Sequence, residues 1–168
     1  ALEEAERNRQ PLISTEHLLL GMLRGGDNAA VQIVEHLGIL ADTLTVSLAP
    51  RLDAGDGPPA HNAPLNEVLS PSALKALELA ASASVRYAIS PRVGSEAYAI
   101  GCEHILIGLL MQDSDPAKEV LIEHGIDLDG ALAAGHLVEP DRGVARQVQS
   151  TGSMPAGADQ PSLREVLN

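Results

Sequence analysis

The sequence predicts an all-α fold: two pseudo-symmetric four-helix repeats packed as one globular domain. A doubled stretch is the first reason. Ser14-Thr15-Glu16-His17-Leu18-Leu19-Leu20-Gly21-Met22-Leu23 returns as Gly101-Cys102-Glu103-His104-Ile105-Leu106-Ile107-Gly108-Leu109-Leu110, 87 residues later. Ala30 and Ala117, Val34 and Leu121, and Gly38-Ile39 and Gly125-Ile126 keep the same offset. A unit used twice at a fixed spacing marks repeat architecture. The second reason is composition: 45% of the 168 residues are hydrophobic, with no Phe, no Trp and two Tyr. A core of Leu, Ile, Val and Ala suits close-packed helices. The third is regular punctuation by helix caps and breakers.

Taken in order, residues 2–9 read as the end of an amphipathic helix, broken at Gln10-Pro11, since Pro disfavours helix at the residue before it. Ser14 or Thr15 caps a second helix over 15–23, which Arg24-Gly25-Gly26 ends. Asp27 or Asn28 caps a third over 29–37, with Gly38 as its stop. A fourth spans 41–52, with Leu44, Leu48 and Leu52 four apart. Residues 53–64 are a linker by composition. In the second repeat, Ser70 followed by Pro71 starts a helix running to about Val85. A connection of roughly 87–99 follows. Helices over 102–111, from Asp115-Pro116 to His124-Gly125, and over 128–137 complete the repeat. The domain is thus expected over 1–138: repeat one about 1–52, repeat two about 65–138. Residues 139–168, rich in Gly, Ser, Pro and Gln, read as a flexible tail or linker. The chain opens without Met in what reads as mid-helix, so residues are expected before Ala1.

The net charge is −12, with Lys75 and Lys118 as the two lysines. Nucleic acids and anionic membranes need a basic face, so neither is expected as a partner. No stretch approaches the roughly 20 apolar residues of a membrane span. A single cysteine, Cys102, excludes an intrachain disulfide framework and fits a reducing, cytoplasmic compartment.

The chemistry concentrates in the doubled stretch. A helix start offers unsatisfied N–H groups and a positive dipole end. Thr15 can cap the helix or help hold an anion. Glu16 can neutralise the dipole or pair bidentately with a guanidinium. Capping and a site for a ligand anionic at one end and guanidinium-like at the other both remain open on the residues alone. His17 and His104 lack the converging partners a metal needs, and His36 and His124 sit at helix ends, so structural histidines are expected. Cys102 stands where Thr15 stands in the first copy. Cys102-Glu103-His104 are consecutive on a helix and do not face one another as nucleophile and base would. No phosphate loop, Gly-x-Ser-x-Gly or His-Glu-x-x-His occurs, so neither catalytic residues nor a cofactor or metal are expected.

On Ile13-Ser14-Thr15-Glu16-His17-Leu18-Leu19-Leu20-Gly21, Ile100-Gly101-Cys102-Glu103-His104-Ile105-Leu106-Ile107-Gly108 and Leu69-Ser70-Pro71-Ser72-Ala73, the chain resembles the N-terminal domain of Clp AAA+ unfoldases, nearest the ClpC type. The resemblance covers roughly 1–138. It implies a non-catalytic domain that receives protein substrates or adaptor proteins for degradation by Clp ATPase and protease components. It further implies a phosphoarginine site in each repeat. By motif match the ligand-binding residues are Thr15, Glu16, Cys102 and Glu103. Cys102 lacks the hydroxyl of the family's Thr, and the connection before Ile100 is longer than the family's, so the second site is expected to be altered.

Two other readings stand beside this one. A stand-alone regulatory or decoy protein would bind peptides or adaptors without an ATPase module. An enzyme would use Cys102 and the histidines.

Overall fold

The computed structural model describes residues 1–52, 65–87 and 100–138. The expected linker 53–64, most of the connection before Ile100 and the tail 139–168 lie outside the described residues. The first repeat holds α1 (Leu2–Arg7), α2 (Thr15–Arg24), α3 (Ala29–His36) and α4 (Ala41–Leu48), the last running into a 3-10 turn at Ala49–Arg51. The second holds α5 (Leu65–Val68), α6 (Pro71–Arg86), α7 (Cys102–Leu110), α8 (Pro116–Glu123) and α9 (Leu128–Gly135). Among the described residues the fold is all-α, and the β pairing is one parallel bridge, Ile13 with Leu69. No single described helix is long and apolar enough to cross a membrane.

The helix starts follow side-chain chemistry. Asn28 accepts from the N–H groups of Ala30 and Val31, and Asp115 accepts from those of Ala117 and Lys118. Ser70 accepts from Ala73 N–H at 3.1 Å, with Pro71 in the first helical position, where its missing N–H costs nothing. The ends are equally regular. Gly38 and Gly125, at φ +83° and +81°, stop α3 and α8 in the left-handed region that side chains resist. Ile39 N–H then bonds Val34 carbonyl and Ile126 N–H bonds Leu121 carbonyl, the same closure in both repeats. α4 ends at Leu48, earlier than the apolar spacing suggests. Pro50 lacks the N–H an α-helix would need, and the chain tightens into the 3-10 turn. The short α5 had no periodic pattern to announce it.

The repeats share one core. Leu19, Leu20, Leu23, Ile33, Val34, Leu44 and Leu48 pack in the same cluster as Leu106, Ile107, Leu109, Leu110, Val120, Leu121 and Ile126. Each signature helix reaches into the other repeat: α2 packs on α8, and α7 on α3. Polar contacts cross the same boundary. Ser47 Oγ lies 3.1 Å from His124 Nε2, while His124 Nδ1 is 2.8 Å from Val120 carbonyl. Nδ1 therefore carries the proton and Nε2 accepts from Ser47. Arg51 holds both oxygens of Glu123, at 2.7 and 2.8 Å.

α6 and α7 approach closely. Ala73, Ala76, Ala80 and Ala83 form a fully buried stripe on α6. Gly108 of α7 faces it so closely that a Cβ there would lie 2.8 Å from Ala80 N and 3.1 Å from Ala80 Cβ. Small residues on both sides set this approach.

Candidate functional site

The start of α2 is tied to the start of α6. Ile13 N–H donates to Val68 carbonyl at 2.6 Å, and Ser70 N–H donates to Ile13 carbonyl at 2.9 Å. Two chain segments thus enter their helices side by side, one from each repeat. Beneath the bridge lies a small apolar cluster of Ala5, Ile13, Val68, Leu69 and Ala73.

Ser14 stands at the N-cap of α2 with extended backbone. His17, three residues on, turns its ring back: Nδ1 accepts Ser14 N–H at 3.1 Å and lies 2.8 Å from Ser14 Oγ. This is the reciprocal arm of a capping box, with an imidazole in place of the usual Glu or Gln. His17 is 0% exposed. Burial holds its pKa below the ordinary 6.5, outweighing the opposing pull of Glu16 and Glu4. The neutral ring accepts at Nδ1, so the proton sits on Nε2, which has no hydrogen-bond partner among the described residues. In the second copy His104 Nδ1 accepts Gly101 N–H at the same 3.1 Å. His17 and His104, two of the four histidines read as structural, thus each accept a backbone N–H three residues back.

Thr15, the first residue of α2, is 1% exposed and points inward. Its hydroxyl lies 2.8 Å from Asp115 Oδ2 and 3.1 Å from Glu16 Oε2. Asp115 is itself 2% exposed. Its other oxygen, Oδ1, accepts the N–H groups of Ala117 at 2.9 Å and Lys118 at 3.3 Å. One carboxylate therefore caps α8 and grips α2. Burial raises the Asp115 pKa from its ordinary value of 3.8, and nearby Glu16 adds to the rise. The hydrogen bonds from Thr15, Lys118 and Ala117 act the other way. Glu16 is half-buried, with its carboxylate beside the positive end of α2.

The second copy is arranged differently. Cys102 begins α7 and is half-buried. Glu103 is buried, and its carboxylate folds back over Gly101, where a Cβ would lie 2.6 Å from Oε1 and 2.7 Å from Cδ. Oε1 is also 3.2 Å from His104 Nδ1. Ser14 carries a Cβ at the matching place, so the Glu103 pose is closed to Glu16.

The structure thus brings Thr15 and Glu16 together around one hydroxyl and sets Cys102 and Glu103 at the start of α7. Asp115 joins the first pair from the other repeat. In the sequence Asp115 read as a helix start before Pro116. Nothing local showed that its second oxygen would meet Thr15. Among the described residues no three His, Cys, Asp or Glu side chains gather to hold a metal.

Residues 1–124 match the family model described as the Clp repeat (R) N-terminal domain. An ATP-dependent Clp protease ATP-binding subunit ClpA homolog from Cyanidium caldarium is 32% identical over 128 residues, which is 76% of this chain and 14% of that protein. Chaperone protein ClpB of Oceanobacillus iheyensis is 30% identical over 129 residues, 77% of this chain and 14% of the relative. The negative regulator of genetic competence ClpC/MecB of Bacillus subtilis is 29% identical over 133 residues, 78% of this chain and 15% of the relative. The chain accordingly spans only about a seventh of the length of these relatives. The doubled helix start, the shared core and the family match agree: the chain belongs to the Clp repeat N-terminal domain family.

Proposed function

We propose that this domain recognises protein substrates or adaptor proteins for the Clp degradation system in the cytoplasm, and that the start of α2 binds phosphoarginine-like marks on them. The observation that carries this reading is the partly exposed Glu16 side chain at a place where two helix starts, α2 and α6, are tied side by side. Glu16 can take a guanidinium through two parallel hydrogen bonds. Helix starts favour an anion through their N–H groups and dipoles. A ligand carrying both charges fits such a pair of poles better than a simple cation or anion does. Thr15 serves this site from within. Its hydroxyl is turned to Asp115 and joins the start of α2 to the cap of α8.

The Cys102–Glu103 copy plays the weaker part, because its carboxylate is folded onto Gly101. A catalytic role for Cys102 has little chemical support. Consecutive residues on a helix do not face one another as nucleophile and base, and His104 Nδ1 takes Gly101 N–H.

Isothermal calorimetry with free phosphoarginine tests the reading. Wild type should bind at one strong site, Glu16→Ala should abolish it, and Glu103→Ala should leave it. Absence of heat from wild type, or equal binding by Glu16→Ala, overturns the ligand assignment.

A further inference from the structure

Thr15 has one hydroxyl proton and two carboxylates within reach of it. Asp115 Oδ2 is at 2.8 Å and Glu16 Oε2 at 3.1 Å. A hydroxyl donates one hydrogen bond. The shorter contact assigns the proton to Asp115, and so does burial, since an ionised carboxylate in the interior loses most without a donor. Glu16 then faces the lone pairs of the same oxygen and gains nothing from it. Its charge is left for a partner from outside.

We infer that Asp115, from the second repeat, is a positioning residue for the first repeat's site: it holds the Thr15 proton away from Glu16 and so keeps the Glu16 carboxylate available to a guanidinium. This rests on the Glu16 reading above. Neutralising Asp115 reverses the arrangement. In Asp115→Asn the amide N–H donates to Thr15 Oγ1, and the amide oxygen keeps Ala117 and Lys118 N–H. The Thr15 hydroxyl proton then rotates to Glu16, and the carboxylate is engaged from within. The balance is simple: one proton turns about one C–O bond.

The first repeat shows that Asn suffices as the cap at this register. Asn28 caps α3 by accepting Ala30 N–H at 3.1 Å and Val31 N–H at 3.2 Å. Asp115→Asn therefore changes charge and proton direction while leaving the helix start intact. Other charges do not take over the role. Glu16 is the charged side chain that α2 sets beside this joint. The Lys118 ammonium is taken by Gln112 carbonyl at the end of α7. The end of α4 meets α8 farther along, through Arg51 to Glu119 and Glu123 and through Ser47 to His124.

The test is a mutant cycle titrated with free phosphoarginine at neutral pH. Asp115→Asn should weaken binding about ten- to a hundredfold, the worth of one hydrogen bond to a charged group. Adding Thr15→Val, which removes the proton and keeps the shape, should recover most of that loss. A residue that only supported the fold would give a double variant weaker than either parent. Unchanged binding by Asp115→Asn, or no recovery in the double variant, overturns the inference. A ligand-free measurement separates it from the ligand assignment. The buried Thr15 hydroxyl proton should show a scalar coupling across the hydrogen bond to the Glu16 carboxyl carbon in Asp115→Asn and not in wild type. If wild type ignores phosphoarginine, the ligand reading fails. The hydroxyl coupling then decides the inference: its absence from Asp115→Asn overturns it, and its presence there alone supports it.

Discussion

Thr15 Oγ1 and Asp115 Oδ2 meet at 2.8 Å, both side chains buried, and join the first helix turn of one repeat to the helix cap of the other. Removing the hydroxyl leaves a buried carboxylate oxygen short of its donor. Thr15→Val should therefore destabilise the domain by about 1–3 kcal/mol, the cost of an unsatisfied buried polar group. Urea unfolding checks it, and a midpoint equal to wild type would show that Asp115 finds another donor.

Asp115 also makes stability depend on pH. Its folded-state pKa is raised above 3.8, mainly by burial. Between 3.8 and that raised value the native state holds more protons at this site than the unfolded chain. Its contribution to stability therefore falls as pH rises through the window. Asp115→Asn removes the effect. The stability of the variant relative to wild type should rise as pH goes upward from about 4, the reference carboxylate range. Parallel pH profiles for the two proteins would contradict this.

His17 works in the opposite sense. Its folded pKa lies below 6.5, with burial as the largest cause. The unfolded chain takes the proton first as pH falls. Stability from this group is thus fully present above 6.5 and is lost on acidification through the folded value. Gln at this position can still accept Ser14 N–H, as in an ordinary capping box. His17→Gln should flatten the fall in melting temperature between neutral and mildly acidic pH. An imidazole titration by NMR at or above 6.5 would refute the premise.

At Gly108 two effects compete. Replacing a mid-helix Gly by Ala gains about 1 kcal/mol in helix propensity. The new methyl would meet the backbone and Cβ of Ala80 inside contact distance. Forcing α6 and α7 apart costs about 1–3 kcal/mol, and backbone cannot move aside as a side chain can. Gly108→Ala should be net destabilising, whereas a gain in melting temperature would show that the helices separate freely.

Gly101→Ser puts into the second repeat the residue that the first repeat uses. Its Cβ occupies the space now held by the Glu103 carboxylate. Glu103 should swing outward, and calorimetry with phosphoarginine should show a second binding event. A stoichiometry unchanged at one would mean that something other than Gly101 closes this copy.

Much of the fold was legible because its causes are local. Ser70-Pro71, Asp115-Pro116 and the glycines at 38 and 125 mark helix ends by their own backbone chemistry. The limits of α4 were read too long because apolar spacing continues past Pro50, which stops the α-helix. The site was legible in part. Glu16 is a partly exposed carboxylate at a helix start, as its position in the motif suggested. The inward turn of Thr15 was not legible, because it depends on a partner 100 residues away.

The sequence by itself determined the all-α class, the doubling at an offset of 87 and most of the helix starts and stops, since period, caps and breakers act over a few residues. The sequence already set Cys102 against Thr15, and only the tertiary structure decided how the two copies differ. Glu103 lies over Gly101 and Glu16 stands beside Thr15, although the two motifs read almost alike. The physical reason is packing of elements distant in sequence. The fold of the second repeat delivers Asp115 to Thr15, and one Cβ, present on Ser14 and absent from Gly101, closes to Glu16 the pose that Glu103 adopts.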